Sequence, residues 1–542
     1  YITDWCNTWG FKISVVKTSF VLFHRGKRKE VHLDLNKEKI KRATSVKFLG
    51  MMFDQRLTWN EHISYLAEKC QKRINIMKLL TGSKWGSDKD TMVILYKTLI
   101  RSVLDYGSSV YFSAADSNLK RLDVIQSQAL RLCCGALKCT PVEALEVECG
   151  IPPLSLRRKY LALKTAIRYT NMAVNPAKEC FQDCFQLYYG KYNDHFKPLK
   201  LKVENDMANA EKAYISEVED RIPPFAYEPI LCDTGLHSKI NKKSDSPHVM
   251  LAFSLEHMQK WNNSLHIYTD GSKNEHKSAC AFYVPYLKYS KKFRLTDNTS
   301  VYMSEMIAIL EALRFLLVKP PIRCVIFSDS FSCIQTIDSG GEMDAVSQEI
   351  RYCIYQLWCQ GIPVDLCWIP SHVGIHGNEM VDSLAKEALK FESVNYANLK
   401  TIPEINKLLD NKLLEEWQNM WNCSKKGRFY HKLQPIVSHS VKYSDINKRK
   451  QTSITCLRFG KCKLADVNFM LGKLNNNLCD VCQVKEDVEH YINKCNKYND
   501  YQVELNDKLL MCDVVPSVEV LLGNAKWYDD LWLYICQTGV NL

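Results

Sequence analysis

Apolar positions in the first sixty residues fall in short runs. Phe11, Ile13 and Val15 alternate with polar residues, Phe20 to Phe23 is a second apolar run, and Lys47 to Phe53 a third. A period of two predicts short strands and turns over residues 1–63. From His62 to about Met172 the period lengthens to three and four. Ile63, Leu66 and Ala67 recur in this way, as do Ile94, Leu95, Thr98 and Leu99, then Leu122, Ile125, Gln126 and Leu130. That spacing predicts helices over 64–175. Gly150-Ile151-Pro152-Pro153 interrupts them before one more helix from Leu154, because proline removes a backbone donor and fixes its own φ. Residues 176–261 read as a connector, with Lys239 to His248 polar enough for a linker.

The pattern then changes to alternating strands and helices. Leu265 to Tyr268 and Ala279 to Val284 predict strands, and Met303 to Leu317 a long amphipathic helix. Arg323 to Phe327 predicts a buried strand, Ala345 to Cys359 a helix, Val364 to Ile369 a further strand, and Glu379 to Phe391 a closing helix. A strand hairpin followed by βαβ alternation predicts an α/β domain, a mixed sheet flanked by helices, over 262–392. From Pro403 the chain reads as helical again, then polar with clustered Cys and His, giving a small helical region over 400–542.

Composition adds three constraints. A content of 46% hydrophobic and 24% charged residues excludes wholesale disorder, and no window approaches the ~18 apolar residues of a membrane span. The 23 cysteines are scattered among helix-forming stretches, which suits reduced thiols in an intracellular protein better than a disulfide scaffold. Residues 1–200 hold 33 Lys and Arg against 18 Asp and Glu, whereas 261–390 hold 12 against 14. A basic N-terminal part suggests a nucleic-acid-binding face, with a solvated Lys-rich surface as the plainer reading. The chain starts at Tyr1 with neither a methionine nor a signal pattern, so a piece of a longer protein is expected.

Four carboxylates stand out. Asp270 is expected at a strand end, Glu305 on the sheet-facing side of the long helix with Ala308, Ile309, Ala312 and Leu316, Asp329 at the next strand end, and Asp382 near the start of the closing helix. A core-facing carboxylate is costly unless paired or bound to a cation, and several converging acids repel one another. Two magnesium ions resolve this, since they take hard oxygen ligands and can act on a phosphodiester. The alternative is four unrelated caps and turn formers.

Tyr268-Thr269-Asp270-Gly271-Ser272, Ser304-Glu305-Met306-Ile307-Ala308, Ser328-Asp329-Ser330 and Ser371-His372-Val373-Gly374-Ile375-His376-Gly377-Asn378-Glu379-Met380-Val381-Asp382 together resemble the type 1 ribonuclease H family. The resemblance implies a ribonuclease H-like fold and a metal-dependent endonuclease that cuts the RNA strand of RNA–DNA hybrids. It implies that Asp270, Glu305, Asp329 and Asp382 bind Mg²⁺ or Mn²⁺, and that His372 is the loop histidine that helps the departing group leave. A non-catalytic nucleic-acid-binding relic would be expected to have lost a carboxylate. An integrase- or transposase-like enzyme would be expected to end on Glu and to lack the early Glu305.

Upstream, Trp9 to Ser14 with Lys17-Thr18, Lys47 to Asp54, Leu57 to Ile63, Ser102 to Gly107 and Gly150 to Leu154 resemble the palm end (1–63) and thumb (64–175) of jockey-type non-LTR retrotransposon reverse transcriptases. That likeness implies paired polymerase aspartates N-terminal of these motifs. No Asp-Asp pair precedes Lys17, so no polymerisation is expected of these residues. Downstream, Cys479, Cys482, His490 and Cys495 have the spacing of a structural Zn²⁺ site in segment 479–495, with four unrelated residues as the alternative. The pair Cys456 and Cys462 is expected to be core or free thiols. Lys442, Lys448, Arg449 and Lys450 suggest nucleic acid or a protein partner near the zinc segment.

Overall fold

The computed structural model describes residues 2–24, 30–35, 38–82, 84–170, 222, 231–241, 245–339, 345–395, 402–437, 443 and 447–540. Most of the expected connector, 171–221 and 223–230, lies outside them. The chain divides into two units, one from 1–163, 188–203 and 409–542, the other from 164–187 and 204–408. None of the described helices is long and apolar enough to cross a membrane.

The first unit starts with a departure from expectation. Ile2–Thr8 is a helix (α1), and Trp5 stacks on Phe11 at 5.8 Å, so these aromatic residues cover one another instead of one face of a strand. The run Lys47 to Phe53 folds as a hairpin, β1 Ser45–Phe48 and β2 Met51–Asp54, turned at Leu49 and Gly50 with positive φ. Helices α2 (Asn60–Leu80), α3 (Lys89–Leu95), α4 (Asp116–Cys134), α5 (Val142–Cys149) and α6 (Leu154–Thr170) follow, with the proline pair between α5 and α6. Ile63, Leu66 and Ile74 of α2 and Leu122, Ile125 and Ala129 of α4 meet in one core, on the faces that the three-and-four spacing marks.

The second unit is a six-stranded mixed sheet. Strand β3 is Leu231–Asp233; the short helix α7 (Gly235–Lys239) and α8 (Pro247–Met258) come next. Strands β4 (Leu265–Lys273), β5 (Ser278–Val284) and β6 (Tyr289–Leu295) run antiparallel; then come α9 (Val301–Val318), β7 (Cys324–Ser328), α10 (Phe331–Ser339), α11 (Ala345–Cys359), β8 (Val364–Trp368) and α12 (His376–Ala388). The strand order is β6-β5-β4-β7-β8-β3, with β4, β7, β8 and β3 parallel.

Alternate residues go to opposite faces. Ile267, Ile326 and Leu366 pack under α9 and α11, whereas Tyr268, Phe327 and Cys367 pack under α7, α8 and α12. Residues 231–261, expected to finish a connector, are thus built into this sheet unit. The pattern also missed β3, β6 and α10. Three residues are too few to show a period, β6 is an edge strand that reads YSKKFRL, and α10 is only nine residues long.

Beyond α13 (Ile402–Cys423) and α14 (Lys448–Arg458), the C-terminal region is helical as expected. It is not a separate tail. Trp417, Trp421, Tyr430 and Phe459 share a core with Leu130, Leu145 and Ile151, and a buried charge network joins the two ends of the chain. The fully buried Glu148 takes Lys89 Nζ at 2.8 Å, Tyr443 Oη at 2.8 Å and Tyr430 Oη at 2.5 Å, with Arg458 at 3.5 Å. Burial alone would push its carboxyl up; Lys89 and Arg458 more than offset this and hold it below the usual range. Glu148→Ala would leave two buried cations without their anion, which costs about 3–5 kcal/mol, whereas Tyr443→Phe should cost only about 1 kcal/mol. Urea denaturation midpoints of the two variants check that ordering.

Candidate functional site

The site begins with a close approach between a strand and a helix. Gly271 follows Asp270 in β4, and a Cβ there would lie 2.6 Å from the Glu305 backbone nitrogen in α9. Only glycine lets the helix lie this near the strand, and the approach brings Asp270 and Glu305 side by side. Asp270 is not at the end of its strand as expected. β4 runs on to Lys273 against β5, but its parallel neighbour β7 stops at Ser328, opposite Thr269. Asp329 follows directly, so Asp270 and Asp329 mark the C-terminal edge of the parallel part.

Asp270, Glu305 and Asp329 each offer a carboxylate oxygen within 4.8 Å of the others. Asp270 and Glu305 are buried, and Glu305 Oε2 has no hydrogen-bond partner. Burial first, then Asp329 and Asp382, push the Asp270 carboxyl up to about 7. Burial, then Asp270 and Asp329, raise that of Glu305 as well. Three acids with an orphaned buried oxygen are a donor set that fits a hard divalent cation.

Asp382 stands apart from these three. Helix α12 starts at His376, three residues earlier than expected, so Asp382 lies in its second turn. Its carboxylate groups with His372 and Glu379 within 4.8 Å and pairs with Lys386 Nζ at 2.7 Å. His372 lies on the preceding loop with a left-handed φ of 55°, its side chain 67% exposed and its Nδ1 4.0 Å from Asp382. Asp382 still acts on the triad through space, as the Asp270 shift shows.

Sequence reasoning missed three supporting residues. Buried Asn378 donates from Nδ2 to Asp329 Oδ2 at 3.4 Å, and Trp368 Nε1 donates to the Asp329 carbonyl at 3.0 Å. Gly377 brings the first turn of α12 onto β4, where a Cβ would meet the Tyr268 ring at 2.3 Å. The signal for Asn378 was its place within the motif that ends at Asp382; Trp368 gave none.

The second cluster lies in the first unit. Cys479, Cys482, His490 and Cys495 bring their ligand atoms within 4.8 Å of one another, with Cys479 and Cys495 sulfurs 3.7 Å apart and Cys482 and Cys495 sulfurs 4.0 Å apart. A tight turn makes the first pair: Gln483 has positive φ, and Cys479 N donates to the Val484 carbonyl. His490 and Cys495 do not share a regular helix. The helical turn widens to π geometry over His490–Lys494, and Cys495 follows with extended backbone. His490 Nε2 is buried without a partner, so this donor set also fits a metal. Cys456 and Cys462 are buried in the surrounding core and do not join the cluster.

Of the basic residues expected to bind a partner nearby, Lys448 and Lys450 are buried and Arg449 is exposed. Lys448 donates to the Cys133 carbonyl, Lys450 pairs with Asp529, and Arg449 lies over the Trp532 ring. Lys442 lies outside the described residues.

The RNase H family model matches residues 262–390. The ribonuclease H of Campylobacter jejuni is 32% identical over 133 residues, which cover 23% of this chain and 90% of that one. The chain belongs to the ribonuclease H family. This ribonuclease H chain also resembles larger proteins of mobile elements. The RNA-directed DNA polymerase of the Drosophila melanogaster mobile element jockey is 26% identical over 161 residues, 30% of this chain and 18% of that protein. The probable RNA-directed DNA polymerase of transposon X-element, from the same fly, is 23% identical over 133 residues, 24% of this chain and 15% of that one. The match thus spans less than a fifth of those relatives, and the likeness to non-LTR retrotransposon polymerases read from the sequence is found again.

The raised acids carry a sign. Folded Asp270, at about 7, holds a proton that the unfolded chain has released above pH ~4, so the fold binds more protons between those values. Its contribution to stability is full below pH ~4 and is lost as pH rises through 7. In EDTA, the thermal midpoint of the wild-type chain minus that of Asp329→Asn should therefore fall between pH 5 and pH 8. Added Mg²⁺ should raise the wild-type midpoint more at pH 8 than at pH 5. Parallel pH curves for the two proteins would contradict this.

Proposed function

We propose that residues 231–395 hydrolyse the RNA strand of RNA–DNA hybrids. The observation that carries this is the convergence of Asp270, Glu305 and Asp329, whose carboxylate oxygens lie within 4.8 Å of one another, with Asp270 and Glu305 buried and Glu305 Oε2 without a hydrogen-bond partner. Together with Asp382 these side chains would hold two Mg²⁺ or Mn²⁺ ions. Bound there, such ions supply a more acidic water and charge neutralisation for a phosphodiester. The chain's own residues do the rest. The sheet and α9 fix Asp270 and Glu305, Asn378 and Trp368 orient Asp329, and exposed His372 is placed to assist the departing 3′ oxygen from the solvent side. No Asp-Asp pair precedes Lys17, and no polymerase step is proposed for residues 1–175.

The zinc reading belongs to the other unit. Three thiolates and one imidazole make a closed tetrahedral Zn²⁺ set with no open position for water, so its proposed role is to hold Leu478 to Tyr498 folded.

Two outcomes test these readings. With a labelled hybrid, the full chain should cleave RNA in Mg²⁺ or Mn²⁺ and not in EDTA or Ca²⁺. Asp270→Asn and Asp329→Asn should each lower turnover about 10²-fold or more, the scale of one lost transition-state charge contact, and His372→Ala should slow it only in part. Near-normal turnover by Asp329→Asn would move the site elsewhere. Purified, reduced protein should carry about one zinc per chain, and Cys482→Ser should lose it with hybrid cleavage unchanged. Metal analysis that finds no zinc would return these four residues to unrelated core positions.

A further inference from the structure

Residues 231–258 precede the stretch that the family model matches, yet they touch both loops that carry catalytic side chains. On one side, β3 pairs with β8 through Asp233↔Cys367, and α7 follows at once. Asp233 sets its start, accepting from Gly235 N at 2.9 Å and Lys260 Nζ at 2.8 Å, with His257 Nε2 at 3.1 Å. Leu236 is fully buried beneath α7. His237 stacks on Phe331 with ring centres 4.2 Å apart and meets Trp368 edge-on at 5.1 Å. Phe331 is two residues after Asp329, and Trp368 holds the Asp329 carbonyl. The short helix therefore rests on the two aromatic side chains that flank Asp329.

On the other side, α8 lies against the loop that carries His372. Met250 shares a core with Val373 and Ile375, and Leu251 comes so near Gly374 that a Cβ there would be 3.7 Å from its Cδ2. Gly374 N also donates to Glu379 Oε1 at 3.3 Å. The loop backbone is thus fixed from α8 and from α12 while the His372 side chain stays exposed.

We propose that α7 and α8 are a positioning brace for the hydrolytic site, with His237 setting the Asp329 strand end and Leu251 setting the His372 loop. This rests on the hydrolytic reading above. Neither residue touches the reacting atoms. His237 acts through Phe331 and Trp368, so the flat ring matters and the imidazole nitrogens do not.

The test uses the full chain. His237 is exposed, so His237→Ala should leave the thermal midpoint nearly unchanged. Calorimetric titration with Mn²⁺ alone should show its affinity for the acidic site weakened about 3- to 10-fold, somewhat less than the ~10–100-fold of a direct outer-shell partner. His237→Phe should restore it. In the hybrid assay, His237→Ala should raise the Mg²⁺ concentration for half-maximal rate with KM for hybrid unchanged. Leu251→Ala should lower kcat with Mn²⁺ affinity unchanged. Equal Mn²⁺ affinity in His237→Ala and wild type would overturn the brace. So would a loss that His237→Phe does not restore, since the imidazole would then act directly. Lack of hybrid cleavage by the wild type would instead sink the hydrolytic reading and leave the Mn²⁺ result standing.

Discussion

The contact between β4 and α9 at Gly271 is the constraint on which the rest depends. It needs a residue with no side chain, and in return it brings Asp270 and Glu305 together where water is largely excluded. Lengthening that contact by the width of a methyl group would separate the two acids and push α9 off the sheet face filled by Ile267 and Ile326. Fold and site therefore share one dimension. The sheet contributes the third acid without further cost, because β7 ends one residue short of Asp270 in register and places Asp329 alongside.

The two units treat buried carboxylates in opposite ways. Glu148 is as buried as Glu305, but Lys89, Arg458 and two tyrosines surround it and keep it ionised. Its network reaches from Lys89 to Arg458 along the sequence and closes the first unit on itself. Glu305 has no such partners and sits among like charges, so its carboxyl rises. The first arrangement is complete in the protein alone, and a fold gains specificity and rigidity from it. The second is a donor set that a divalent cation would complete. That contrast supports structure for one set and chemistry for the other.

How much was legible in the sequence follows from the range of each signal. Short apolar runs marked β5, β7 and β8 closely, since these strands are buried on both faces, and three-to-four spacing marked α9 and α11. All four motif acids were legible, because their local signatures are short and contiguous. That three of them gather and Asp382 pairs with Lys386 was not, since it depends on where α12 starts, and that is set by the seating of Gly377 on Tyr268. Charge was misleading in the C-terminal region. Lys448 and Lys450 count as surface cations in a tally, yet one donates to a buried carbonyl and the other pairs with Asp529. Residues 231–261 were illegible for the opposite reason, because a three-residue strand and a five-residue helix carry too few positions to show a period. Much of their burial comes from partners far along the chain, such as Trp368 and Phe331.

The acidic site consequently has two unlike halves. Asp270, Glu305 and Asp329 are held by a sheet, a long helix and an aromatic base, with little freedom to move. His372 is exposed on the loop before α12, and Asp382, half-buried in the second turn, pairs with Lys386, whose side chain is 59% exposed. A polyanionic substrate of the kind proposed above would meet exposed Lys386 and His372 from solvent, and its phosphates would compete with Asp382 for Lys386. A carboxylate released from that lysine would be available to a cation shared with the other three. On this argument Lys386 neutralises Asp382 from one turn along α12, whereas Glu305 is buried with an oxygen that has no hydrogen-bond partner.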